Sequence, residues 1–330
     1  MKVLIVRFSS IGDIVLTTPV VRAVKQLGAE VHYLSKRSFQ SLLQPNPHID
    51  KVWAIDKKVG EVKAGLQQQD FDYVIDLHNN LRSLQVKWAL SATAYTFDKI
   101  NWEKWLMVNF KINRLPGQHI VHRYMAPATR IGAAYDGQGL DYFIPEEDEV
   151  AMAPLLATEA FGGSPEAPPY IAFAIGAAHN TKRMPTDRII ALCDQLPLPV
   201  VLLGGPGEAE EGEAIAKAVR QQQVVNTCGR FNINQSASVV RQAAKVITHD
   251  TGMMHIAAAF QKQILSLWGN TIPAFGMYPF YPDGVQKNST FEVEGLKCRP
   301  CSKIGFQECP KGHFKCMLGI PLEEVVSAAE

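Results

Sequence analysis

No apolar run in this chain approaches the roughly 18 residues that a membrane-spanning helix needs. The first strand-to-helix turn holds only Gly12, and no G-x-G-x-x-G triplet occurs there, so the dinucleotide fingerprint of nicotinamide oxidoreductases and epimerases is missing. Net charge is nearly absent as well. The 33 Lys and Arg against 32 Asp and Glu leave a formal +1, which argues against a dedicated nucleic-acid binder and leaves room only for a local basic patch. The N-terminal Met1–Arg7 lacks the apolar core and small-residue cleavage site of a signal peptide, so the expected compartment is the cytoplasm. Cysteine is scarce outside one region. Cys193 and Cys228 stand alone and read as packed thiols, whereas Cys298, Cys301, Cys309 and Cys316 crowd near the C-terminus. Short-period repeats and low-complexity tracts are also missing.

What is present describes a well-packed α/β protein, with 47% hydrophobic and 20% charged residues. A chain of 330 residues exceeds one ordinary core, and two domains are expected. Lys2–Phe8 reads as a central parallel strand, followed by a helix from about Ile14 to Leu27, a stop at Gly28 and a second strand from Glu30. Strands at Lys51–Ile55 and Phe71–Leu77 continue the pattern, with a helical stretch from about Val59 to Gln69 between them. The Gly/Pro-rich stretch Phe161–Pro169 marks a linker, which divides the chain into domains 1–163 and 164–330. Beyond it, strands at Tyr170–Ile175, Val200–Leu203, Val224–Asn226, Val246–Thr248 and Ile264–Trp268 alternate with helices. Both halves are therefore expected to wind parallel sheets, with ligands held beyond the strand ends in a cleft between the domains.

The stretch Val246–Phe260 organises the second half. A buried strand breaks at His249-Asp250-Thr251-Gly252 and turns into a helix, leaving free N–H groups at a positive dipole end that suits an anion. Asp and Thr are also ordinary helix caps. Two other loops carry charge. Ser9–Asp13 follows the first strand, and its Asp13 is either a helix-start carboxylate, worth ~0.3–1 kcal/mol, or a base facing a cleft. Lys182 and Arg183 follow the strand at Tyr170, where they form either a diphosphate cradle or a solvated basic turn. Glu208, after Gly204-Gly205-Pro206-Gly207, can accept ribose hydroxyls or serve as helix N-terminal charge. The aromatic and basic stretch Thr96–Asn113 fits core packing, a lid or an interfacial surface.

Together these pieces resemble glycosyltransferase family 9, the ADP-heptose:lipopolysaccharide heptosyltransferases. The resemblance is carried by KVLIVRFSSIGDIVLTTP, DLHNNLRS, HRY at 122–124, TKRMP at 181–185, GGPGE at 204–208, DTGMMHIAAA at 250–259 and the cysteine tail, in that order along the chain. Many family members have Pro-Gly-Ala and Trp-Pro where this chain has Ile175-Gly176-Ala177 and Met184-Pro185. The resemblance implies a GT-B architecture of two Rossmann-like domains, with the acceptor held mainly by the first and the nucleotide sugar by the second. It implies inverting transfer of heptose from ADP-L-glycero-β-D-manno-heptose to an inner-core sugar of lipopolysaccharide on a lipid A–Kdo acceptor, at the cytoplasmic face of the inner membrane. Asp13 matches the general base and Lys182 the phosphate-binding lysine, which stands in for a divalent metal, so no cofactor is required for the chemistry. Ser10, Gly12, Thr181, Glu208, Asp250, Thr251, Gly252 and His255 match the donor site. Lys57, Lys58, Arg82 and Arg123 are the acceptor candidates, with solvated surface as the alternative.

The tail is a separate matter. Cys298-x-x-Cys301 followed by Cys309 and Cys316 is compatible with a structural zinc site, with His313 as an alternative ligand, and equally with packed thiols. Leu322–Ala329 is placed as a closing helix crossing back to the first domain. Two rival functions stand beside the transferase: a nucleotide-dependent oxidoreductase or epimerase, which needs the missing glycine triplet, and a non-catalytic nucleotide-sugar-binding module, which needs no base at Asp13.

Overall fold

The computed structural model describes residues 1–156 and 167–330. Most of the expected Phe161–Pro169 linker, including the 163/164 boundary, lies outside the described residues. Two compact units emerge: Met1–Asn101 with Gly117–Phe143 and Phe280–Val285, and Trp102–Pro116 with Ile144–Pro279 and Gln286–Glu330.

The first unit is a five-stranded parallel sheet of β1 (Lys2–Val6), β2 (Glu30–Lys36), β3 (Lys51–Ile55), β4 (Tyr73–Asp76) and β5 (Thr93–Thr96). Its order is β3-β2-β1-β4-β5, so β1 is central, and Val3 to Val6 are fully buried. Leu4, Val6 and Phe8 pack with Leu34, Ile55 and Val74 in one core. The helix expected over 14–27 is two helices, Ile11–Val15 and Thr18–Gln26. Pro19 lacks an amide hydrogen and is tolerated only in the first turn of a helix, so the first helix ends and a new one starts there. Thr17 seals the break, its hydroxyl bonding to the Ile14 carbonyl at 2.7 Å and to the Tyr33 hydroxyl at 2.8 Å. Arg22, buried on the second helix, binds Asp136, Asp141 and the Gly139 carbonyl, and so ties the later segment of the unit to the sheet. The helical stretch expected at 59–69 is a short 3-10 turn at Val59–Glu61 followed by Lys63–Gln67.

The second unit is a six-stranded parallel sheet of β6 (Ile171–Ala174), β7 (Val200–Leu203), β8 (Val224–Asn226), β9 (Lys245–His249), β10 (Gln263–Trp268) and β11 (Asn288–Glu292), in the order β11-β10-β9-β6-β7-β8. Its core joins Ile171, Phe173, Ile247, Leu265 and Leu267 to Met317, Ile320 and Val325. The helix Leu322–Ala329 therefore buries its apolar face in this unit, where the sequence suggested a return to the first domain. Apolar runs do not mark β5 (TAYT) and β11 (NSTFE). Both are half-exposed edge strands, where one side of the pleat faces water. No helix among the described residues is long and apolar enough to cross a membrane.

Each sheet has one place where strand order reverses, between β1 and β4 in the first and between β6 and β9 in the second. Connections leave in opposite directions there, so the carboxyl ends of those strands open a crevice instead of being covered. Asp13 follows β1, Arg82 follows β4, Lys182 follows β6 and Asp250 follows β9, whereas Glu208 follows β7, Lys57 and Lys58 follow β3, and Arg123 lies on the helix Ile120–Thr129.

Candidate active site

In the first unit, β1 runs into the loop that carries Asp13. Asp13 is the third residue of the helix Ile11–Val15, and its Oδ2 accepts the Ser10 backbone N–H at 3.1 Å and the Ser10 hydroxyl at 2.9 Å. That is the capping role any helix-start carboxylate plays. Its other oxygen does something more. Oδ1 is 2.7 Å from the Arg7 guanidinium and accepts the Tyr124 hydroxyl at 3.1 Å. Arg7 is itself anchored, donating to the Leu77 carbonyl at 2.5 Å and the Ser9 carbonyl at 2.7 Å. Burial alone favours the neutral acid at Asp13. The Arg7 charge and the bonds from Ser10 and Tyr124 outweigh it and hold the carboxyl below its ordinary value. Its side chain keeps 19% exposure, so the carboxylate is held and still reachable.

The end of β4 builds the neighbouring loop. Buried Asp76 accepts the N–H groups of His78 at 3.0 Å and Asn79 at 2.8 Å and the Ser83 hydroxyl at 2.8 Å, and pairs with Lys87 at 3.0 Å. Asn79 takes a positive φ of 51°, which turns the chain into the helix Leu81–Ala89. Arg82 on that helix lies over the Phe8 ring at 5.4 Å, and His78 meets the same ring edge-on. Burial, with Arg7 and Lys99 nearby, lowers the His78 pKa to about 4, so the imidazole is neutral. Arg123 is 5% exposed, which removes solvated surface as its explanation. Lys57 and Lys58 are exposed, on a turn whose three N–H groups all bind Glu61; those bonds lower its pKa to about 2.

In the second unit, the loops after β6 and β9 meet. Lys182 Nζ lies 2.6 Å from Asp250 Oδ2 and 3.2 Å from the Asp250 carbonyl, and the Thr271 hydroxyl donates to the same carboxylate oxygen at 2.8 Å. From the sequence, Lys182 is expected at the phosphates and Asp250 elsewhere in the donor site, as separate residues. The structure shows them as one ion pair beside the start of the helix Gly252–Ala259. Thr251 caps that helix in an extended conformation without a side-chain cap bond, and Gly252 is its first residue. The opening amides are thus not tied up by the usual cap, and a helix start of this kind attracts anions. His255 is buried on the same helix.

Glu208 folds back over its own glycine turn, accepting the Gly205 N–H at 2.8 Å and pairing with Arg183 at 3.4 Å. Arg183 also pairs with Glu211, which in turn accepts the Thr186 hydroxyl at 2.7 Å. Thr181 is buried, and its hydroxyl is committed to the backbone of Phe306, accepting at 2.8 Å and donating at 3.0 Å. A pocket of about 370 Å³ opens beside Thr181 and is bounded by Asn180, Cys309 and Phe314. Buried His249 accepts the Met184 N–H at 3.0 Å, and burial lowers its pKa to about 3, which keeps it a neutral acceptor.

Sequence reasoning missed Arg7, Thr271 and the part played by His249. Arg7 did leave a signal, a lone charge ending an apolar strand. Thr271 left none, because its role depends on β10 lying beside β9. Among the described residues no group of three or more His, Cys, Asp or Glu is arranged around a common point as metal ligands would be.

A family model described as glycosyltransferase family 9 (heptosyltransferase) matches residues 59–308. The chain is 28% identical over 330 residues to lipopolysaccharide heptosyltransferase 1 of Pseudomonas aeruginosa, covering 92% of this chain and 86% of that one. Its fold is similar to the glycosyl transferase family 9 structure from Veillonella parvula, with a TM-score of 0.77, 22% identity, and coverage of 99% of this chain and 95% of that one. It is also similar to E. coli heptosyltransferase WaaC with ADP, with a TM-score of 0.65, 21% identity, and coverage of 88% and 92%. The fold is thus the GT-B type of paired parallel α/β sheets.

Proposed function

The chain belongs to glycosyltransferase family 9 (heptosyltransferase), and from that membership we propose that it moves a heptose from ADP-L-glycero-β-D-manno-heptose to an inner-core sugar of lipopolysaccharide, with inversion. The acceptor is a lipid A–Kdo or inner-core saccharide met at the cytoplasmic surface of the inner membrane. The observation that carries this reading is the ion pair of Lys182 with Asp250 just before the uncapped start of the helix Gly252–Ala259, at the strand-order reversal of the second sheet. A cation and a dipole end close together are what a leaving diphosphate requires.

In the proposed reaction the anomeric C–O bond to ADP breaks as the acceptor oxygen bonds to the opposite face, and the acceptor proton passes to Asp13. Negative charge then collects on the diphosphate, where Lys182 and the amides of Gly252 and its neighbours stabilise it. Asp250 would repel phosphate, so it holds Lys182 in place and accepts sugar hydroxyls. Glu208 receives the ribose. A carboxylate held below its ordinary pKa is a weak base at rest. It becomes competent late, when the attacking hydroxyl has acquired positive charge and is strongly acidic. Lys57, Lys58, Arg82 and Arg123 are assigned to the anionic groups of the acceptor.

Replacing Asp13 by Asn tests the assignment. Turnover should fall about 10²–10⁴-fold, with ADP affinity measured by calorimetry unchanged. Normal turnover in Asp13→Asn would remove the base assignment, and loss of ADP binding as well would make Asp13 a structural residue.

A further inference from the structure

Residues 293–314 carry no helix or strand, yet they hold a defined path against the donor loops. Arg299 donates to the Gly269 carbonyl at 2.6 Å and the Thr271 carbonyl at 2.8 Å, and pairs with Glu292. The Cys301 N–H donates to the Asn270 carbonyl at 3.2 Å. Phe306 brackets Thr181, and Gly305 packs so close to the His179 ring that a Cβ there would lie 2.6 Å from it. A long segment without secondary structure of its own rarely keeps such a course by apolar packing alone. In small irregular segments a metal or disulfide usually supplies the missing constraint.

All four tail cysteines are free thiols, and they neighbour one another. Cys298 and Cys301 hydrogen-bond to each other, and Cys316 interacts with Cys298, Cys301 and Cys309. The Cys309 sulfur accepts N–H groups from Lys311, Gly312, His313 and Phe314, with Gly312 in the positive-φ conformation that allows the tight turn. Lys111 Nζ donates to the Pro300 carbonyl at 2.7 Å and lies within electrostatic reach of Cys298 and Cys301. His313 settles its own role. Its Nδ1 accepts the Lys315 N–H at 3.1 Å, so the ring proton is on Nε2, and Nε2 faces Cys298 Sγ at 3.7 Å. A protonated nitrogen cannot ligate a metal but can donate to a thiolate, as outer partners of metal sites do.

We propose that Cys298, Cys301, Cys309 and Cys316 bind one thiophilic divalent cation, of the zinc or ferrous class, as a structural tetrathiolate site that props the Thr181–Lys182 and Asn270–Thr271 loops. Loading releases the thiol protons to solvent and leaves a centre of charge −2. Lys111, the His313 N–H and the amides around Cys309 offset that charge. In the loaded form the four sulfurs would stand about 2.3 Å from one point. The propping half of the proposal rests on the donor assignment above; the metal half does not.

Elemental analysis of the full-length protein, grown with zinc and iron supplied, should find about one equivalent of metal per chain. Cobalt(II) titration of the metal-stripped wild type under argon should develop the thiolate-to-cobalt and d–d absorption of a tetrahedral sulfur site. Cys309→Ser and Cys316→Ser should each lose the metal, whereas Cys193→Ser should keep it. A wild type with under about a tenth of an equivalent and no cobalt–thiolate absorption would overturn the site, whether or not the serine variants fold. Stripping the metal should weaken ADP binding about tenfold, with reloading restoring it. Unchanged ADP affinity in stripped protein would overturn the propping role. Metal-loaded protein that binds no ADP would uphold the site and count against the donor assignment instead.

Discussion

Arg7 and Lys182 hold the carboxylates of Asp13 and Asp250, the proposed base and the proposed sugar ligand, and each makes a testable difference. At Asp13, burial pushes the pKa up and Arg7 leads the groups that pull it down. The wild-type carboxyl is therefore ionised throughout the neutral range, and the acid limb of kcat/KM should lie below the ordinary carboxylate region. Arg7→Met removes the main opposing charge, so the acid limb should move to higher pH. Arg7→Lys should restore much of the original position, and Tyr124→Phe should produce a smaller upward move. A pH–rate profile on the three variants reads this directly; an unmoved limb in Arg7→Met would mean that Arg7 does not tune Asp13. At Lys182, loss of a charged donor to phosphate should weaken ADP binding by ~1.5–3 kcal/mol, or roughly 10–150-fold. The same change leaves Asp250 without its ion-pair partner. Lys182→Ala should therefore be measured beside Lys182→Ala/Asp250→Asn, and ADP affinity that stays at the wild-type level in both would exclude the phosphate role.

Among the elements, the glycine turn after β7 is packed closely around Glu208 at one glycine and open at another. A Cβ on Gly204 would lie 2.8 Å from the Glu208 Cβ and 3.0 Å from the Cys228 sulfur, neither of which is the free end of a flexible chain. A Cβ on Gly207 meets nothing within 4 Å. Gly204→Ala should therefore cost ~1–3 kcal/mol of stability and displace Glu208, whereas Gly207→Ala should stay within about 0.5 kcal/mol of wild type. Urea unfolding of both proteins decides between this and a turn that tolerates any small residue. The same reasoning explains which elements were legible. Buried strands such as β1, β6 and β7 announce themselves by continuous apolar runs, while β5 and β11 are edge strands whose polar residues face water and resemble loops. The helix break at Thr17 was also written in the chain, at Pro19, but an unbroken amphipathic pattern on both sides concealed it.

On the scale of the molecule, the two units each have a sheet, a core and a strand-order reversal; of the proposed donor residues, Thr181, Lys182, Glu208, Asp250, Thr251, Gly252 and His255 belong to the second, and Ser10 and Gly12 to the first. Hydrogen exchange with ADP alone should accordingly protect the amides of 181–183, 205–208 and 252–255, and leave β1 to β5 unchanged. At 100 times its Kd the nucleotide should stabilise the protein by about 2.7 kcal/mol. Protection centred on the first unit would reverse the donor and acceptor assignments. What the chain determined by itself is the winding of both halves and the residue types at their loops, because period, glycine placement and apolar runs are local properties. Asp13, Lys182 and Asp250 stand out there as loop residues after strands, and only the family resemblance attaches roles to them. The tertiary structure decided their partners. That Asp250 is bound by Lys182 and Thr271, that Asp13 is bound by Tyr124, and that Thr181 is bound to Phe306 all depend on how the strands and helices are laid side by side. Contacts between residues 21 to 125 positions apart have no local signature, since only the folded sheets bring such side chains within hydrogen-bonding distance.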